Sequence, residues 1–141
     1  MRDDQDRIMQ QTEMTRVFVY GTLRRGGRND IQRYQPLPRF VTSARIRGRL
    51  YHLGRYPGLA LGQGDWVQGE VYEVAPSVLV QLDHLEGLLP QPTGEYHRRS
   101  VRVDTPSGPL QCLLYEIDPS RIQGRALIEH GDWLQACPPP G

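Results

Sequence analysis

Val17-Phe18-Val19-Tyr20-Gly21-Thr22-Leu23 decides how this chain is read. Four consecutive apolar or aromatic residues suit a strand with both faces covered, and the run stops at a glycine, where bare backbone N–H groups can turn toward a bound anion. A second short stretch answers it from the middle of the chain: Leu82-Asp83-His84-Leu85-Glu86-Gly87 sets a carboxylate at the end of a helical pattern. If the fold brings the two ends together, an anion cradle and a proton-transfer group face one pocket.

Working outward, 141 residues at 38% hydrophobic content fit one domain, of a size that buries roughly 65–70% of its unfolded surface. The net charge of +1 gives no ground for polyanion binding or long-range steering. The apolar runs fall far short of the ~20 residues that span a bilayer, and the N-terminus is too polar for a secretory signal, so a cytoplasmic protein without membrane or nucleic-acid partners is expected. Cys112 and Cys137 have no paired spacing and are read as free thiols. All 17 basic residues are arginine. Arg24, Arg25, Arg28 and Arg33 form one cluster and Arg45, Arg47 and Arg49 another; the alternation in the second puts its arginines on one strand face, which suits a solvated or salt-bridged surface.

Residues 1–15 are polar and lack the means to bury themselves, so a flexible leader is expected, with the onset of strand-like sequence at Arg16 making Met14 an alternative start. A single domain is expected over residues 16–135 and a Pro-rich tail over 136–141. Within the domain, strand patterns run over Arg16 to Tyr20, Ala44 to Leu53, Trp66 to Val74, Tyr96 to Val103 and Leu110 to Ile117, bounded by Gly, Pro and Asp turns. The clearest helix runs from Pro76 to Glu86. Proline suits its first turn, Val78, Leu79, Leu82 and Leu85 share a face, and Gly87 terminates it.

Glu86 would then be the last helical residue, facing the negative end of the macrodipole, a placement that costs about 0.3–1 kcal/mol when exposed. The same field, with partial burial, pushes a carboxyl upward toward neutrality, where acid–base catalysis works best. The plain alternative is an exposed, tolerated glutamate. For Gly21 to Leu23 the plain alternative is an ordinary strand-to-turn transition.

Tyr20-Gly21-Thr22-Leu23 followed by Arg24-Arg25-Gly26 resembles the signature loop of the γ-glutamyl cyclotransferase-like superfamily, in particular its short bacterial branch. Tyr56-Pro57-Gly58-Leu59, Val67-Gln68-Gly69-Glu70-Val71-Tyr72, Leu82 to Gly87, Tyr96-His97-Arg98 and Gly131-Asp132-Trp133-Leu134 resemble further family segments in the same order, so the similarity runs from Arg16 to Leu134. It implies an α+β fold: a mixed β-barrel of about five to six strands with short flanking helices, its cavity floored by the signature loop. Matching residue by residue, it gives Glu86 the catalytic position.

The activity so implied is an intramolecular aminolysis. The α-amine of a γ-glutamyl group attacks its own γ-carbonyl and releases pyroglutamate (5-oxoproline) and a free amine, without cofactor or metal. The protein must supply a folded-back substrate, a base, an acid and oxyanion stabilisation. Glu86 would serve as general base and then acid. The N–H groups of Gly21, Thr22 and Leu23 would hold the α-carboxylate or the oxyanion.

Tyr20, Tyr96 and Tyr115 carry hydroxyls that suit a pocket and rings that suit a core. Arg98 matches a family arginine and is expected to pair with an acid or orient the pocket. Asp83, one turn before Glu86, is expected to face solvent or an arginine, with repulsion on Glu86 as its other possible effect. No Walker lysine, GxSxG elbow or HExxH helix is present, and His52, His84, His97 and His130 lack ligand-like spacing. Two other functions stay open: a module of the same fold that binds a small carboxylate ligand without turning it over, and an interaction protein using the arginine surface. The substrate's leaving amine and the oligomeric state are not encoded in any motif.

Overall fold

The computed structural model describes residues 14–136. The expected leader up to residue 13 and the tail with Cys137 lie outside the described residues. In chain order the elements are β1 (Thr15–Val19), β2 (Arg39–His52), β3 (Pro57–Leu61), β4 (Asp65–Val74), α1 (Pro76–Leu85), β5 (Tyr96–Thr105), β6 (Gly108–Ile117), β7 (Ala126–Leu127) and α2 (Trp133–Ala136).

Five strands close on themselves in the order β2-β4-β1-β6-β5, with β5 returning to β2 at the pair Arg45 and Asp104. Closure leaves those strands without a free edge to aggregate through. All pairings are antiparallel except β1 with β6, which makes the barrel mixed. β1 lies between β4 and β6, and Val17, Phe18 and Val19 are all buried, as a continuous apolar run requires. The long β2 outruns the barrel: its Gly48–His52 end pairs with β3, and Tyr51 and His52 pair with β7.

Alternation along the strands sorts two cores. Phe18, Ile46, Leu50, Val67, Val71, Val103 and Leu114 fill the barrel with Trp133 of α2. Val17, Val19, Tyr72, Val74, Tyr115 and Ile117 point the other way and meet Val78 and Leu82 of α1. Period-two patterning thus lets one sheet serve an interior and a helix-covered exterior.

Several sequence boundaries shift. β1 runs over Thr15–Val19 rather than the expected Arg16 to Tyr20, so Thr15, placed in the leader by the sequence, belongs to a strand. β2 begins at Arg39 rather than Ala44, because a register shift between Phe40 and Thr42 breaks the alternation there. β3 was not anticipated: Pro57-Gly58 reads as a turn, yet the segment is held by pairing to the overrun of β2. The arginine alternation is as expected, with Arg45, Arg47 and Arg49 exposed and Ala44, Ile46 and Leu50 buried. The Arg45 and Arg47 guanidiniums sit 3.9 and 4.2 Å from the Trp66 ring centroid. Cys112 is buried within β6, where burial pushes its thiol up to about 11. That environment suits packing rather than nucleophilic work. Among the described residues no helix is long and apolar enough to cross a membrane.

Candidate active site

The end of α1 is set by its own backbone. Leu88 N–H donates to Asp83 C=O at 2.8 Å and Gly87 N–H to His84 C=O at 3.2 Å, the paired bonds of a Schellman cap. Gly87 takes φ +77°, which a side chain would strain, and a Cβ there would meet Thr93 Oγ1 at 2.6 Å. Glu86 is therefore the cap residue rather than the last helical one. Val78 and Leu82 bury the helix against the sheet. The fourth expected face residue, Leu85, is 43% exposed, and Asp83 takes a buried place instead.

The loop after β1 is anchored from behind. Arg24 donates through Nε to Glu70 and through Nη1 to Asp132 Oδ1 at 2.7 Å, while Arg25 N–H donates to Glu70 Oε1 at 2.9 Å. Glu70 is buried, and the Arg24 guanidinium on one oxygen and the Arg25 N–H on the other compensate its desolvation. Arg24 thus leaves its cluster: Arg25, Arg28 and Arg33 are exposed, whereas Arg24 ties the loop to β4 and to the segment before α2. Within the loop, Asn29 Nδ2 donates to Thr22 Oγ1 at 3.1 Å. Among the turn, loop and side-chain hydrogen bonds of the described residues, the N–H groups of Gly21, Thr22 and Leu23 have no acceptor. Gly21 is needed for a reason the sequence did not disclose. A Cβ there would lie 2.7 Å from Pro57 Cγ, so the close approach that it permits is that of β3.

Glu86 and Gly21, Thr22 and Leu23 line one cavity of about 250 Å3. The Glu86 side chain has no hydrogen-bond partner among the described residues, and burial, followed by the negative charge of Glu95, pushes its carboxyl up to about 7. The direction is the one expected from the helix-end field with partial burial, and burial is the larger cause. Asp83 faces an arginine, as expected, and does not act on Glu86: Arg98 Nη1 donates to its Oδ2 at 2.7 Å and the Tyr115 hydroxyl to its Oδ1 at 2.6 Å.

Tyr20, Tyr96 and Tyr115 also line the cavity, but their hydroxyl protons are committed to the scaffold. Tyr20 donates to Tyr115 C=O, Tyr96 to Pro57 C=O and Tyr115 to Asp83, each at 2.6 Å. Burial drives all three phenols far up, so they stay neutral. The Tyr20 oxygen is also engaged, accepting from Leu59 N–H at 3.3 Å. Arg98 does not line it; it stands behind the wall, holding Asp83. Sequence reasoning gave no role to Tyr56, Pro57, Asn29 or Glu95, all of which line the cavity. Tyr56 and Pro57 belong to a segment quoted for its family likeness, and Glu95 directly precedes Tyr96, but nothing local marks either as facing Glu86.

Comparison with known proteins bears on this geometry. The family model described as "Gamma-glutamyl cyclotransferase, AIG2-like" matches residues 17–135. A Vibrio cholerae protein with a provisional γ-glutamylcyclotransferase name is 42% identical over 121 residues, covering 84% of this chain and 95% of that one. The γ-glutamylcyclotransferase family protein YtfP of Escherichia coli is 36% identical over 126 residues, covering 84% and 96%. Its solution structure superposes with a TM-score of 0.59 at 35% identity, covering 86% of this chain and 98% of that one. The crystal structure of an AIG2-like protein of Mus musculus gives 0.68 at 27% identity, covering 91% and 98%.

Proposed function

From its membership in the γ-glutamyl cyclotransferase, AIG2-like family, to which this chain belongs, we propose that it converts a γ-glutamyl amine or peptide into pyroglutamate and a free amine. The observation that supports the proposal is a single cavity lined by a carboxyl pushed up to about 7 and by three successive amides, all without a hydrogen-bond partner among the described residues.

The amides accept the substrate's α-carboxylate or the developing oxyanion, two tasks that backbone dipoles perform without reorganising. Glu86 takes a proton from the α-ammonium. The freed nitrogen attacks the γ-carbonyl carbon, a C–N bond closes the five-membered ring, and the bond to the leaving nitrogen breaks as Glu86 hands that proton to it; the second proton, shed by the ring nitrogen as it becomes an amide, follows the same route, so the amine departs as an ammonium and Glu86 ends ionised. A carboxyl that titrates about pH 7 is suited to both steps. The tyrosine rings shape the walls of the cavity, and neither a metal nor an organic cofactor is required by this chemistry. The site handles a small molecule, in the cytoplasm.

Incubation with a panel of γ-glutamyl amines and peptides, read by chromatography of pyroglutamate, tests the proposal. Turnover is expected in the wild type and a loss of roughly 100-fold or more in Glu86→Gln, the scale of a general acid–base contribution. Equal activity in a folded variant refutes the mechanism. Binding of pyroglutamate without any turnover points instead to a ligand-binding module of the same fold.

A further inference from the structure

Glu86 is not the only carboxylate on the cavity wall. Glu95, in the segment leading into β5, lines the same space, and the Tyr56 hydroxyl donates to its Oε2 at 2.6 Å. The two acids stand at either end of the connection between α1 and β5, and among the described residues none that lines the cavity is basic. Among the described residues the remaining polar lining comes from Gly21, Thr22 and Leu23, whose N–H groups have no acceptor there, from Asn29 and from neutral tyrosines. An amino-acid head group entering this space has both N–H donors and two acids within its walls, groups that suit its carboxylate and its ammonium respectively.

We infer that Glu95, braced by Tyr56, is a positioning residue of this site: its carboxylate draws the substrate's α-ammonium toward Glu86 and so orients the attacking nitrogen. The inference rests on the proposed reaction and deepens it. A second fixed negative charge is useful because Glu86 alternates between charged and neutral forms and cannot by itself hold a cation through the proton transfer. Hydrogen bonding by Tyr56 keeps Glu95 in one geometry and leaves it acceptor-only toward the cavity.

The other groups near the pair do not take over this task. Tyr20, Tyr34, Tyr96 and Tyr115 feel the charge of Glu86, and all are held neutral by burial. Asp83 is neutralised by Arg98. Arg121 and Arg125 act on Tyr56 and are not part of the cavity lining. His84, on α1, is not part of it either.

Calorimetry with L-glutamine and N-acetyl-L-glutamine isolates the ammonium, since the two probes differ at that nitrogen. The wild type is expected to prefer L-glutamine. Glu95→Gln is expected to lose roughly tenfold of that preference, the scale of one charge-assisted hydrogen bond, and Tyr56→Phe, which keeps the charge but frees its geometry, a smaller share. In the same variants the Glu86 carboxyl is followed by carbon NMR, and its midpoint is expected to fall in Glu95→Gln. With turnover, KM rises more than kcat falls. An unchanged probe preference or an unchanged Glu86 midpoint in Glu95→Gln overturns the inference. If the wild type itself does not distinguish the probes yet still forms pyroglutamate, the role of Glu95 falls and the reaction stands. If it forms none, the reaction falls as well.

Discussion

Replacing Glu86 by glutamine should make the protein more stable at alkaline pH while removing its activity. The carboxyl rises from 4.5 in the unfolded chain to about 7 in the fold, chiefly because burial penalises its charged form. Between those values the folded state holds more proton than the unfolded state, so stability falls as pH rises through this window. The contribution is fully present below 4.5 and gone above about 7. At about 1.4 kcal/mol per pH unit, the wild type gives up about 3 kcal/mol on going from pH 4.5 to 8. Glutamine has the same shape and no charge to bury, so the variant does not lose it. The two proteins should be close in stability near pH 4.5, with the variant about 3 kcal/mol ahead at pH 8, or roughly 6–12 °C in Tm for a domain of this size. Circular dichroism melts of both proteins at half-unit steps from pH 4.5 to 8 measure the gap directly. Parallel curves would mean that Glu86 titrates as an ordinary surface acid, and the desolvated catalytic carboxyl would have to be given up. A gap that opens as predicted is an instance of stability sacrificed for function at one named side chain.

Gly21→Ala drives a Cβ to within 2.7 Å of Pro57 Cγ and 2.9 Å of its Cδ, and should cost roughly 1–3 kcal/mol in urea unfolding with loss of turnover; a variant with wild-type stability and rate would contradict the close packing of β3 on the loop. Tyr115→Phe leaves buried Asp83 with Arg98 alone and should cost roughly 1–3 kcal/mol. A change within a few tenths would show that Asp83 does not depend on that hydroxyl.

Much of this molecule was legible from residue order. The unbroken run at Val17 to Val19 marked a strand covered on both faces, and the alternation from Arg45 to Leu50 placed its arginines outward, because strand periodicity is a local property. Pro76 and Gly87 bounded α1 to within one residue, since both act through their own backbone angles. β3 was invisible, since its stability comes from the overrun of β2 rather than from its own five residues. The role of Leu85 was misjudged for a related reason. Helical spacing puts it on the apolar stripe with Leu82, but Leu85 stays exposed and lines the cavity instead.

By itself, then, the sequence determined the strands with strong patterning, the helix and its cap, and the two short stretches on which the proposed chemistry rests, all of which depend on neighbours a few residues away. Only the tertiary structure decided that Glu86 and Gly21 to Leu23 share one cavity, that Asp83 belongs to Arg98 and Tyr115, that Gly21 makes room for Pro57 and that Glu95 lines the same cavity as Glu86. The physical reason is range. Propensity and capping act along the chain, whereas desolvation, ion pairing and steric contact act through space and acquire their partners only when the barrel closes.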